Sequence, residues 1–166
     1  MVIVSLTTWW RRINNIPVVL DSIFSQTMPP DKIVLNLSED EILPEQVDQY
    51  IIDHNVVVNR VPDTKVYKKI LPTIMQYKEA VIICIDDDWI YPSDMIADFM
   101  EVHKKHPDMP VTGNYIVYQH LNCHCGCASL IKYDYFGDYL DIIDDATLLG
   151  YADPLPYLPG MRIETD

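Results

Sequence analysis

The sequence predicts an α/β domain, with a mostly parallel sheet and helices on both faces. Two observations carry this. Short runs rich in β-branched residues alternate with segments of helical apolar spacing, the pattern of a parallel sheet covered by crossover helices. One run, Ala80 to Ile85, is apolar throughout and then meets Asp86-Asp87-Asp88. An unbroken apolar run bounded by polar residues fits a strand buried on both faces. In open α/β sheets ligands gather outside the carboxyl ends of the strands. Three acids are therefore delivered to the edge where such folds do chemistry.

The elements follow in order. Val2 to Leu6 is a short β-branched strand. Ile16, Val19, Leu20, Ile23 and Phe24 recur at helical spacing, with Asn14 or Asn15 placed to cap and Pro17 suited to the first turn. Met28-Pro29-Pro30-Asp31 is a turn, and Ile33 to Leu37 a second strand. Pro44 to Ile52 is a helix and Val56 to Val61 a third strand. Lys69 to Tyr77 is a helix that tolerates Pro72 only near its start. After the Ala80 to Ile85 strand, Ser93 or Asp94 caps an amphipathic helix running to about Lys105, through Met95, Ile96, Phe99, Met100 and Val102. Val111 to Val117 is a further strand. Beyond it the pattern weakens: Cys123 to Ile131 is extended, Asp138 to Leu149 helical, and the proline-rich segment Pro154 to Gly160 irregular.

At 166 residues the chain is long enough for one domain with a substantial core. Hydrophobic residues make up 49% and charged residues 22%, a soluble globular balance. The net charge of −13 argues against nucleic acid as a partner, since phosphate affinity comes from clustered Lys and Arg. It argues equally against docking on anionic lipid. An anionic ligand would need a metal or a few placed cations to overcome that field. The start of the chain lacks a signal-peptide pattern, because Arg11-Arg12 follow the apolar residues. No stretch reaches the length of a transmembrane segment. The expected location is cytoplasmic, with the four Cys as reduced thiols.

Asp86 and Asp88, one residue apart, form a hard-oxygen pair suited to Mg²⁺ or Mn²⁺. A lone Asp at a strand end would more simply cap the next helix or face solvent. Three in a row after a buried strand, followed by an aromatic residue and Tyr91-Pro92, favour a site.

Several segments, taken together, resemble a group of bacterial glycosyltransferases of the GT-A fold, related to the large family-2 group. Val4-Ser5-Leu6-Thr7-Thr8 with Arg12-Ile13 resembles the opening strand and loop. Ser22 to Leu35, containing Gln26-Thr27 and Pro30-Asp31, is similar to "S-L-x-x-Q-T-x-x-P-D-x-I-x-L". Leu37-Ser38-Glu39 resembles the end of the second strand. Tyr67-Lys68-Lys69-Ile70-Leu71-Pro72 is similar to "Y-K-K-L-I-P", and Asp86 to Pro92 to "D-D-D-x-x-Y-P". The match is collinear over roughly residues 2 to 115.

The resemblance implies a single GT-A-like domain, with residues 1–117 binding a nucleotide-diphosphate sugar of UDP or GDP type and residues 118–166 forming a short acceptor half. It places Thr7 and Arg12 in the loop that meets base and ribose, and Glu39 as an acceptor from base or ribose. Glu39 could equally be a surface acid among Glu39, Asp40 and Glu41. Asp86 and Asp87 would reach the ribose and a metal-bound water, and Asp88 would ligate the metal that bridges the diphosphate. Lys69 is the expected second cation on the diphosphate, with Lys68 its competitor, since helix neighbours face different ways. Trp9, Trp10 and Trp89 could stack on a base or sugar, or pack in the core.

His120, Cys123, His124, Cys125 and Cys127 invite a zinc reading, but all the ligands lie in one short stretch. An extended strand there could not close a tetrahedron without a turn at Gly126. The resemblance instead implies that Gly126 to Lys132 is the counterpart of a Gly-rich stretch beside the donor sugar. An inverting transferase also needs a carboxylate near the acceptor hydroxyl. The resembling group supplies it from "A-D-D". Tyr151-Ala152-Asp153-Pro154 offers Asp153 but puts Pro154 in place of the second acid, and Asp145 of Asp144-Asp145 is the alternative.

The sequence thus points to a metal-dependent transfer of sugar to a hydroxyl of a glycan or glycolipid acceptor, in surface glycan synthesis. The incomplete base motif keeps open a nucleotide-sugar-binding module without turnover. A phosphatase or nucleotidyltransferase is disfavoured. The acids lie mid-chain ahead of Trp89, and Ser5 to Arg12 contains no Gly to cradle a triphosphate.

Overall fold

The computed structural model describes residues 1–113 and 128–136. Its elements are β1 (Val2–Thr7), α1 (Ile16–Phe24), β2 (Lys32–Ser38), α2 (Glu45–Asp53), β3 (Val57–Val61), α3 (Leu71–Gln76), β4 (Val81–Ile85), α4 (Met95–Lys105), β5 (Val111–Gly113) and β6 (Ala128–Ile131). Short 3-10 turns, Ile13–Asn15 and Lys65–Lys69, lead into α1 and α3. The sheet order is β3-β2-β1-β4-β6-β5. β1 pairs in parallel with β2 and β4, and β2 with β3. β6 runs antiparallel between β4 and β5.

The α/β architecture read from the sequence is therefore present. One detail differs: the strand expected at 111–117, described to Gly113, keeps the parallel direction but does not lie beside β4, because β6 is inserted between them. Such a pairing depends on a distant segment, and a local pattern does not carry it.

The core lies on both faces of the sheet. Val4, Leu6, Leu35, Ile83 and Ile85 pack on one face under α1, α2 and α4. Ile3, Val34, Ile82 and Cys84 face the other side, under Leu71 and Ile74 of α3 and Phe136. Each fully buried aliphatic side chain contributes about 1.5–3 kcal/mol of transfer free energy.

On the α3 side, polarity rises towards the carboxyl edge. β1 runs Ile3, Ser5, Thr7; β2 runs Val34, Asn36, Ser38; and β4 runs Ile82, Cys84 and on to Asp86. Burying these polar groups is tolerable only when they are bonded. Thr73 supplies the first rung: its Oγ1 lies 2.7 Å from Ser5 Oγ and accepts from Asn36 Nδ2 at 2.9 Å. Lys68 and Lys69 supply the next rungs, on Ser38 and Asp86.

Three helix starts depart from expectation. Asn15 makes no side-chain cap bond, because the preceding 3-10 turn already delivers the chain into α1. Asp94 makes none either. Instead the Ile96 N–H donates to Gln26 Oε1 at 3.0 Å, while Gln26 Nε2 donates to Pro92 O at 2.6 Å. A buried glutamine at the end of α1 thus caps α4 from outside. The helix expected from Lys69 begins at Leu71, which places Pro72 in its first turn, where no donor is lost. Among the described residues no helix is long and apolar enough to cross a membrane.

Candidate functional site

A cleft of about 650 Å³ opens at the carboxyl ends of β1, β2, β3 and β4, within the size range of small-molecule sites. One wall is the loop after β1, with Thr7, Thr8, Trp9, Trp10 and Arg12. The opposite wall carries Ser38, Asp40 and Glu41 after β2, then Asp63, Lys65, Val66, Lys68 and Lys69 after β3. Asp86 and Asp87 complete the lining.

The three consecutive acids find different partners. Asp86 is held by Lys69 Nζ. Asp87 is buried; it accepts from Thr8 Oγ1 at 2.6 Å and from Arg12 Nη1 at 3.1 Å. Asp88 is exposed and lies 2.8 Å from the same Arg12 nitrogen. The hydrogen bond to Asp87, with the charges of Asp88 and Asp86, raises the Arg12 guanidinium above its ordinary pKa. The acid loop is itself pinned: Tyr91 Oη accepts from Asp86 N at 2.8 Å, and Tyr91 N donates to Ser22 Oγ at 3.1 Å. Cys84 Sγ donates to Lys69 O at 3.3 Å, which fixes the backbone that carries the lysine.

Across the cleft, Lys68 is buried, and its Nζ bonds to Ser38 Oγ at 2.7 Å and Asp63 Oδ1 at 2.6 Å. Lys65 also reaches Asp63, at 2.6 Å. Partial burial favours the neutral acid, but the bonds from Lys65 and Lys68 outweigh it and hold the Asp63 carboxyl well below the usual range. Lys65 takes φ of 54°, a left-handed conformation costing a non-glycine residue about 1–2 kcal/mol.

Of the residues singled out in the sequence, Thr7, Arg12, Lys69, Asp86 and Asp87 border this one cleft. Thr7 Oγ1 donates to Asn36 O at 2.7 Å. Asp88 is not in the lining and joins the site through Arg12. Glu39 is exposed and outside the lining, where its neighbours Ser38, Asp40 and Glu41 stand instead. Lys68 and Lys69 both border the cleft, since a 3-10 turn ending at Lys69 replaces the expected helix start. The core alternative for the tryptophans is excluded: Trp9, Trp10 and Trp89 are 41%, 64% and 40% exposed. Trp9 and Trp10 meet edge to face at 5.9 Å, with the Arg11 guanidinium over both rings. Asp145, Asp153 and the Cys123 to Cys127 stretch lie outside the described residues. Asp63 and the buried role of Lys68 escape the sequence pattern, apart from the paired lysines after Tyr67; Thr8 stands in the opening motif without an assigned role.

No protein-family model matches the chain, and no curated protein matches it. Solved structures do. A mannosyltransferase from Pyrobaculum calidifontis, in complex with GDP-Man and Mn²⁺, superposes with a TM-score of 0.64 at 15% identity, over 81% of this chain and 45% of that one. A 4-diphosphocytidyl-2C-methyl-D-erythritol synthase superposes with a TM-score of 0.62 at 13% identity, over 89% of this chain and 82% of that one. The chain has the GT-A-like fold. S. aureus TarS 1–349 also shares the fold, with a TM-score of 0.54 at 15% identity, over 74% of this chain and 40% of that one. The chain thus spans under half the length of the solved mannosyltransferase and TarS chains. In a GT-A-like sheet the carboxyl edge of the parallel strands is where a ligand sits, and the cleft lies there.

Proposed function

We propose that the protein is a metal-dependent glycosyltransferase that moves a sugar from a nucleotide-diphosphate donor, of UDP or GDP type, to a hydroxyl of a glycan or glycolipid in surface glycan synthesis. In this reading it is related to bacterial family-2 enzymes, residues 1–117 form the donor half and residues 118–166 the acceptor half. The observation that carries the reading is the convergence of Asp86, Lys69, Arg12 and two exposed tryptophans on one cleft at the strand ends. The complexes of fold relatives with GDP-Man and Mn²⁺ and with UDP-GlcNAc support it.

The donor chemistry of the acids fits a divalent cation. Asp86 and Asp88 offer hard oxygens, and Mg²⁺ or Mn²⁺ takes one or two carboxylates and completes its shell with water and phosphate. Among the described residues no group of three or more His, Cys, Asp or Glu is arranged to hold a metal ion, so any further ligands would come from water and phosphate. When bound, the cation would stabilise the charge that develops on the departing diphosphate. Lys69 would bind a phosphate oxygen, Asp87 would keep Arg12 and the loop after β1 in place, and Trp9 and Trp10 would cover the nucleoside. Asp153, or Asp145, would take the proton from the acceptor hydroxyl.

One observation favours a second reading, nucleotidyl transfer: a cytidylyltransferase from Leptospira borgpetersenii shares the fold over 86% of this chain and 64% of that one. The glycine-free loop after β1 counts against it. The two readings separate when the protein is incubated with Mn²⁺ and either a panel of nucleotide sugars or CTP with sugar phosphates. Release of a nucleoside diphosphate supports glycosyl transfer. Release of pyrophosphate supports the alternative. Binding of a nucleotide sugar without turnover on any acceptor or water leaves a binding module.

A further inference from the structure

Among the described residues, every cation bordering the cleft is already engaged by a carboxylate of the same chain. Arg12 spans Asp87 and Asp88, Lys69 holds Asp86, and Lys65 and Lys68 share Asp63. Among the described residues the lining carries more acids than bases, since Asp40 and Glu41 add to Asp63, Asp86 and Asp87. A diphosphate entering alone meets an excess of negative charge. A divalent cation entering alone meets Asp86 and Asp88 with their oxygens already engaged by Lys69 and Arg12. Each ligand therefore lacks what the other brings.

Resting on the donor-site reading above, we propose that Arg12 and Lys69 are exchangeable counter-ions, so that a divalent cation and a nucleoside diphosphate bind as a coupled pair. Phosphate oxygens replace carboxylates on the guanidinium and the ammonium, and the released oxygens of Asp86 and Asp88 take the cation. The geometry separates what exchanges from what stays. Asp87 is 8% exposed and also held by Thr8, so it remains in place. The Arg12 side chain is 45% exposed and Asp88 is 40% exposed, so both can move without opening the core. Arg12 thereby acquires a role in cation and phosphate binding, distinct from the base and ribose contact implied by resemblance. Linkage then requires that the nucleotide raise the affinity for the cation by the same factor as the cation raises that for the nucleotide.

The test is electron paramagnetic resonance of free Mn²⁺ during titration of the protein, with and without GDP or UDP. The nucleotide–Mn²⁺ complex that forms without protein is subtracted. Wild-type protein is expected to bind Mn²⁺ at least about tenfold more tightly when the nucleotide is present. Arg12→Gln is expected to bind Mn²⁺ alone at least about fivefold more tightly than wild type, and to lose most of the coupling. Lys69→Gln should shift both in the same directions. A purely structural role for Arg12 would not raise Mn²⁺ affinity. Equal Mn²⁺ affinity with and without a nucleotide that does bind overturns the proposal, as does an unchanged affinity for Mn²⁺ alone in Arg12→Gln. If neither nucleotide binds under any condition, the donor-site reading fails, while the response of Arg12→Gln to Mn²⁺ alone still decides the counter-ion exchange.

Discussion

Lys68 and Lys69 are adjacent in the chain and border one cleft, yet they bond to different acids. Lys68 Nζ bonds to Asp63 Oδ1 at 2.6 Å and Ser38 Oγ at 2.7 Å, whereas Lys69 Nζ holds Asp86. The division has a consequence for mutagenesis. Lys69→Ala is expected to weaken nucleoside diphosphate binding by about 1.5–3 kcal/mol, the worth of a hydrogen bond to a charged group, with little change in stability. Lys68→Ala removes a buried donor from Ser38 and is expected to lower folding stability by about 1–3 kcal/mol. Calorimetric titration and urea denaturation of both variants check the pair. Equal effects on binding would return the two lysines to equivalent roles.

Asp88 is exposed and pairs with Arg12 at 2.8 Å. Asp88→Ala is expected to leave the fold intact, within about 0.5 kcal/mol, while abolishing metal-dependent binding of nucleoside diphosphates. Thermal denaturation and calorimetry on the same sample check both halves. Unchanged nucleotide affinity would remove Asp88 from the metal assignment.

Thr73 is fully buried and bonded to both Ser5 and Asn36. Thr73→Val keeps the shape but leaves a buried hydroxyl and amide short of a partner. The expected loss is about 1–3 kcal/mol of stability, read from the urea midpoint. A neutral result would mean that the polar rung rearranges.

Asp63 has a depressed pKa in the folded state, so its contribution is present above the unfolded carboxylate value of about 3.9 and is lost as pH falls through the folded value. Wild type is expected to exceed Asp63→Asn in stability at neutral pH. The gap should narrow as pH falls below about 4. Denaturant midpoints at several pH values check this, and a gap independent of pH would place the contribution elsewhere.

Local pattern carried most of the fold and part of the site. Ile16, Val19, Leu20 and Ile23 lie at helical spacing in the sequence and are the buried face of α1 in the structure. The run ahead of Asp86 is β4, buried almost throughout. What escaped was set by distant partners. Gln26 caps α4 across the structure, and Asp94, one of the two local candidates, makes no cap bond. β6 enters between β4 and β5, and no strand pattern specifies its neighbours. Lys68 looks like any surface lysine until the polar face of β2 is seen beneath it. Glu39 was favoured over Asp40 and Glu41 by resemblance, but the chain after Ser38 turns so that Glu39 N donates to Val61 O at 3.1 Å and its side chain stays outside the cleft.

The most direct measurement is calorimetric titration of the protein with nucleoside diphosphates and nucleotide sugars, first in Mn²⁺ and then in EDTA. The account predicts that at least one nucleotide binds in Mn²⁺ and that EDTA abolishes the binding. Binding that persists unchanged in EDTA, or no binding of any nucleotide in Mn²⁺, would contradict it.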